Sequence, residues 1–126
     1  MSKKIIYSEQ APEPIGPYSQ AVAYGNFLFV SGQVAIQKSS GKMITGDIIE
    51  ETEQVMFNLK AVLEANGMNF THVVKSTIFL SDMNNFPKVN ETYGKYFPID
   101  PPARETVEVS RLPKDVNVEI SCIAIK

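Results

Sequence analysis

The eight residues VVKSTIFL at 73–80 are rich in β-branched and aromatic side chains and carry apolar groups on both alternating faces. Such a run reads as a strand inside a sheet, covered on each side. The cover must come from the rest of a 126-residue chain. That length fits one domain, spanning residues 1–126, which can bury about two thirds of its unfolded surface without disulfide or metal staples.

The flanking segments supply elements of both kinds. AVAYGNFLFVSGQVA, residues 21–35, reads as two strands joined at Gly25-Asn26, a dipeptide that tolerates positive φ. QKSSGKMITG at 37–46 is a polar loop, after which Asp47 and Glu50 have the spacing of a capping box. Ile48, Val55, Met56, Leu59, Val62 and Leu63 then follow the i, i+3, i+4, i+7 rule of one buried helical stripe, and Asn66-Gly67 stops it. A second helix begins after Asn84-Asn85, with Pro87 in its first turn and Phe86, Val89, Tyr93 and Tyr96 at helical spacing. ARETVEV and VNVEISCIAI are two last strands, divided by RLPKD.

The predicted order is hairpin, helix, strand, helix, strand, strand, an α+β fold with a single sheet. Right-handed crossovers put both helices on one face of that sheet and leave the other bare. Strand 73–80 is apolar on the bare face too, and Ile123 and Ile125 extend it. A large bare apolar face is an aggregation liability, so packing against further copies of the chain is expected.

Composition narrows the chemistry. A net charge of -2 provides no basic excess for a phosphate backbone, so nucleic acid is not expected as the main partner. The start, MSKKIIYSEQ, lacks the continuous apolar stretch of a signal peptide, and no run nears membrane-spanning length. A cytoplasmic protein with no membrane partner is expected. Cys122 is the only cysteine, so no internal disulfide can form, and its apolar alternation marks a small buried hydrophobe rather than a nucleophile. His72 is the only histidine and no Cys/His spacing suits zinc, so no metal site is expected. GKM at 41–43 lacks the context of a phosphate loop, and neither GxSxG nor GxGxxG occurs.

Polar residues in places that folding does not require become the candidates. Arg104 follows Pro101-Pro102, where a stiff turn becomes a strand. Its planar fork fits a carboxylate through two charge-assisted hydrogen bonds, and a structural ion pair fits the position as well. Glu119 shares a strand face with Asn117, Ser121, Ile123 and Ile125. A buried or subunit-covered setting would raise its pKa toward proton transfer near neutrality; an exposed edge strand would make it a guard against sheet aggregation. Tyr18 after Gly16-Pro17 and Ser31 before Gly32 lie at loop margins, where binding groups are mounted and where packing and capping are the ordinary uses. Asn90 lies one position off the Val89-Tyr93 stripe, at the side of the second helix.

Taken together, IGPYSQA at 15–21, SGQ at 31–33, VNETY at 89–93, PPAR at 101–104 and VEVSRLPKDVNVEI at 107–120 closely resemble the Rid family (YjgF type), the enamine/imine deaminases. The likeness follows the family's order over nearly the whole chain. It implies a chorismate-mutase-like α+β fold and a homotrimer with clefts between subunits. It also implies no cofactor, and as substrates 2-imino acids and their enamine tautomers, released when pyridoxal-phosphate enzymes dehydrate serine or threonine. The resemblance assigns Arg104 to carboxylate binding and Glu119 to the positioning of the attacking water. Tyr18, Ser31 and Asn90 match its pocket positions, with Tyr18 lying across the substrate and the others holding water or polar atoms. Many of its deaminases have cysteine where this chain has Thr106, whose hydroxyl still bonds a carboxylate or water.

Two functions compete on this reading. One is hydrolysis of 2-iminobutanoate and 2-iminopropanoate to 2-ketoacids and ammonia, which protects pyridoxal-phosphate enzymes. The other is a noncatalytic trimer that grips 2-ketoacids through Arg104 and regulates a partner. A ribonuclease or translation-inhibitor role, described for some relatives, is disfavoured by the acidic balance and the lack of a histidine pair.

Overall fold

A computed structural model describes residues 2–126. Its elements are β1 (Lys4–Ile6), β2 (Ala21–Tyr24), β3 (Phe27–Gln33), α1 (Ile48–Ala65), β4 (Val73–Leu80), α2 (Phe86–Gly94), β5 (Ala103–Glu108) and β6 (Val118–Ile125). The six strands form one mixed sheet in the order β1-β2-β3-β6-β4-β5, with β4 and β5 parallel and every other pair antiparallel. No helix among the described residues is long and apolar enough to cross a membrane.

Local chemistry explains most boundaries. Gly25 turns the β2–β3 hairpin at φ +60°, and Gly67 closes the end of α1 at φ +68°. Asp47 caps α1 by accepting hydrogen bonds from the N–H groups of Ile49 and Glu50. The return bond from the Glu50 side chain that a capping box requires is absent among the described residues, so only half of the expected device is present. Strand β1 is an addition to the expected order: three residues carry too little alternation to be read, and pairing with β2 makes the strand.

β3 and β4 both run antiparallel to β6 and are therefore parallel to each other, with α1 as their crossover; α2 connects the neighbours β4 and β5. The last strand has slid between two strands laid down earlier. Both helices pack on one face, against Leu28, Val30, Ile78, Leu80, Val118 and Ile120, with Val55, Met56, Leu59, Val62, Leu63 and Val89 opposite. Each such side chain withdrawn from water contributes about 1.5–3 kcal/mol.

The α1 stripe also buries Glu51, Thr52 and Asn58, which hydrophobic periodicity does not reveal. Asn58 donates to the carbonyls of Val34 and Ile36 at 3.0 and 2.9 Å, and the Glu51 carboxylate accepts both the N–H and the side-chain amide of Asn117 at 2.8 Å. They lash the loop after β3 and the head of β6 to the helix.

The other face is open. Tyr24, Phe27, Phe29 and Val107 are 39% to 48% exposed there, and the rings of Phe27 and Phe29 stack 5.9 Å apart. Strand 73–80 contributes less apolar surface to it than its sequence suggests. A bulge between Val73 and Lys75 leaves Val73 in the core and Val74 outside. Beyond it Lys75 and Thr77 occupy the open face and bind Glu105 at 3.0 and 2.6 Å.

Candidate functional site

Arg104 sits near the start of β5, the sheet's edge strand, opposite Ser76 of β4, which in turn faces Cys122 of β6. Ser76 and Cys122 are both buried beneath the helices, so Arg104 projects on the helix side. The preceding turn is stiff: Pro101 and Pro102 follow Asp100, which adopts φ +49°. Phe86, Asn90 and Tyr93, at i, i+4 and i+7 of α2, stand over the guanidinium. Its NH1 donates to Asn90 Oδ1 at 2.8 Å, while its carbon lies 5.1 Å from the Tyr93 ring centre and 5.7 Å from that of Phe86.

Among the described residues no acidic group lies within ion-pair distance of Arg104. The structural ion pair that its position allowed is therefore not made. Three of the five guanidinium N–H groups have a free choice of partner beyond the Asn90 bond and its neighbour on the same nitrogen. Arg104, Tyr93, Pro101 and Pro102 line an open cleft of about 330 Å³.

Thr106 lies two residues on, opposite buried Ile78, and so on the same side as Arg104. Its hydroxyl and that of Tyr93 are buried without a hydrogen-bond partner. An unsatisfied buried polar atom costs about 1–3 kcal/mol, so the Thr106 hydroxyl, and that of Tyr93 with only the Ser76 hydroxyl near it, form a polar spot that the apolar core does not explain. Burial raises the Tyr93 pKa, with the Ser76 hydroxyl and the Arg104 charge pulling the other way.

Glu119 belongs to a second group. It faces Phe79 of β4, which faces Val107 of β5, and these register partners project on the open side. β6 is an interior strand, so the edge-guard reading of Glu119 does not apply. The side chain is partly buried against Gly32 of β3, and burial alone raises its pKa above the ordinary Glu range. Cys122, on the opposite side of the same strand, is pushed up to about 12 by burial, which suits an inert core thiol.

Ser31 adjoins Gly32. Its hydroxyl donates to the Ser19 carbonyl at 2.6 Å, and its N–H donates to the Gln20 carbonyl at 2.9 Å. The proton of this hydroxyl is thus committed to the backbone that carries Tyr18, leaving the oxygen as an acceptor. Tyr18 is exposed, and its hydroxyl accepts the Ile15 N–H at 3.4 Å. Buried Gln20 anchors the chain before it: its amide oxygen accepts the Ser8 N–H at 2.6 Å, and its nitrogen donates to the carbonyls of Ser8, Ala11 and Pro12.

The six sequence candidates therefore form two clusters. Arg104 and Asn90 meet under α2, with Thr106 two residues along the same side of β5, while Glu119 and Ser31 lie along β6 and β3, with Tyr18 tied to them through Ser19. Arg104 and Glu119 leave opposite faces of the same sheet. Sequence reasoning missed two neighbours. Tyr93 read as core, although its place one turn beyond Asn90 on α2 was a signal; Gly32 gave only the hint of a glycine inside a strand.

A family model described as endoribonuclease L-PSP matches residues 8–126. A RutC family protein of Pyrococcus horikoshii is 54% identical over 98% of both chains. A protein of Dermatophagoides farinae named 2-iminobutanoate/2-iminopropanoate deaminase is 45% identical, covering 98% of this chain and 96% of its own. Among solved structures, E. coli TdcF with bound serine superposes with a TM-score of 0.93 at 37% identity, over 98% of each chain.

Proposed function

The chain belongs to the endoribonuclease L-PSP family, which includes the RutC and YjgF proteins, and from that premise we propose that it hydrolyses 2-imino acids to 2-ketoacids and ammonia. The observation that carries this reading is the unpaired guanidinium of Arg104, fixed by Asn90 and an aromatic floor at an open cleft. A fork held in place without an acid of its own is suited to the carboxylate of a small substrate. The deaminase name carried by one relative and the serine bound in the structure of another point to the same ligand class.

Because Arg104 and Glu119 leave opposite faces, a complete site requires two copies, one supplying the Arg104 cluster and its neighbour the Glu119 cluster. We take the assembly to be a homotrimer with clefts between subunits. The exposed Tyr24, Phe27, Phe29 and Val107 support self-association through the open face.

The reaction needs little equipment, since an iminium carbon is already electrophilic. Arg104 holds the carboxylate, with the buried Thr106 hydroxyl behind it, and Tyr18 lies across the ligand. A water attacks the iminium carbon as Glu119 takes one of its protons, giving a carbinolamine. Glu119 returns that proton to the nitrogen. The hydroxyl then collapses to a carbonyl, the C–N bond breaks with its electron pair, and the released proton leaves with ammonia as ammonium. A carboxylate whose pKa is raised by burial is a better match to proton transfer near neutrality, and such help is worth about 10²- to 10⁴-fold.

The test is to generate 2-iminobutanoate with a threonine dehydratase and trap the survivors with semicarbazide. The purified protein should lower the trapped fraction. An unchanged fraction, with 2-ketobutyrate still bound, would replace this reading with that of a noncatalytic 2-ketoacid receptor. We extend the deaminase reading to a protective role toward pyridoxal-phosphate enzymes, whose enamine products such a reaction would remove.

A further inference from the structure

Gly32 occupies β3, where a glycine weakens a strand and supplies no side chain to pack. The usual reason for a glycine is missing. Gly25, Gly41, Gly46 and Gly67 have positive φ, whereas Gly32 has a backbone conformation open to any residue. A Cβ there would meet something else: Glu119 Oε2 at 2.2 Å, Cδ at 2.8 Å and Cγ at 3.0 Å. These three nearest atoms all belong to one side chain.

We propose that Gly32 is a positioning residue for Glu119: by lacking a side chain it leaves a seat on β3 in which the carboxylate lies. This rests on Glu119 being the acid–base group of the proposed hydrolysis. Two further observations agree. The β3–β6 register slips between Val30 and Gln33, which is a common site for a strand to re-aim a neighbouring side chain. And among the described residues no hydrogen bond or opposite charge contributes to holding Glu119, whose pKa is shifted by burial alone. Of the other titratable groups on that face, Lys75 of β4 and Glu105 of β5 are paired with each other, Tyr24 stands on β2 with β3 between it and β6, and Ser31, Gly32 and Gln33 of β3 bring none. Shape, then, fixes the carboxylate where bonds do not.

Filling the seat need not prevent folding, because the atoms in the way are the far end of a flexible side chain, but displacing them costs stability. Gly32→Ala should fold and should displace the carboxylate. The expected results are a loss of about tenfold or more in kcat for 2-iminobutanoate, with KM moving less than about threefold. The Glu119 side-chain carboxyl, followed by 13C NMR, should titrate closer to the ordinary Glu range. In a Glu119→Ala background Gly32→Ala should cost no further stability, since the clash has gone. An equal stability cost in both backgrounds, or an unmoved carboxyl titration in Gly32→Ala, overturns the seat. If the unmodified protein hydrolyses no imine, the deaminase reading falls, and the titration and the double-mutant cycle still decide the seat.

Discussion

At the scale of single residues, the proposed hydrolysis would have Arg104 and Glu119 divide the work between charge recognition and proton handling. Replacing Arg104 by Ala removes a fork whose hydrogen bonds to a charged group contribute about 1.5–3 kcal/mol each, so kcat/KM for 2-iminobutanoate should fall by about a hundredfold or more. The circular dichroism spectrum should stay as it was, because among the described residues no side chain other than Asn90 hydrogen-bonds to Arg104. Glu119 contributes a pH dependence of its own. Its folded pKa is raised, so the folded state prefers the protonated acid; this favours folding at low pH and is lost as pH rises through the raised value. Glu119→Gln removes that penalty. Its denaturation midpoint should exceed that of the unmodified protein at about pH 8 and match it at about pH 4, while hydrolysis is lost at both. A midpoint unchanged at the higher pH would mean the burial cost is met elsewhere.

At the scale of elements, the segment before β2 is held by one amide. Gln20 is buried and satisfies Ser8, Ala11 and Pro12 at once, so the approach to Tyr18 is tied down without secondary structure of its own. Gln20→Ala leaves those backbone groups unsatisfied, at about 1–3 kcal/mol for each one that water does not reach. Limited proteolysis should then cut within residues 8–17 faster than in the unmodified protein, and KM should rise through Tyr18. The helix that covers Arg104 illustrates the opposite case, in which an element is placed by packing: Val89 and Tyr93 enter the core, and the register that buries them turns Asn90 toward the arginine.

At the scale of the whole molecule, the proposed function makes the one-sided covering of the sheet the control on assembly and catalysis together. Phe29 lies 44% exposed on the open face, stacked on Phe27. Phe29→Asp should shift the mass seen by light scattering from about three times 14.0 kDa toward the single chain, and imine hydrolysis should fall with it. Hydrolysis that persists in a demonstrated monomer would refute a site shared between copies.

Periods of two and of 3.6 residues are local properties of a chain, and β2 through β6 with both helices could be read from them residue by residue. So could two polar outliers, Arg104 behind two prolines and Glu119 amid apolar neighbours, whereas Thr106 stood out only through the family resemblance. Pairing was not legible, because hydrogen bonds between distant strands leave no trace in local spacing. Only the tertiary structure inserted β6 between β3 and β4, excluded the edge-strand reading of Glu119, and moved Val73 inward through a bulge. The same register sent Arg104 and Glu119 to opposite faces and brought Glu119 over a glycine whose missing side chain is its seat. A strand's alternation says which residues share a face; which neighbour that face meets is settled by the order in which strands pair.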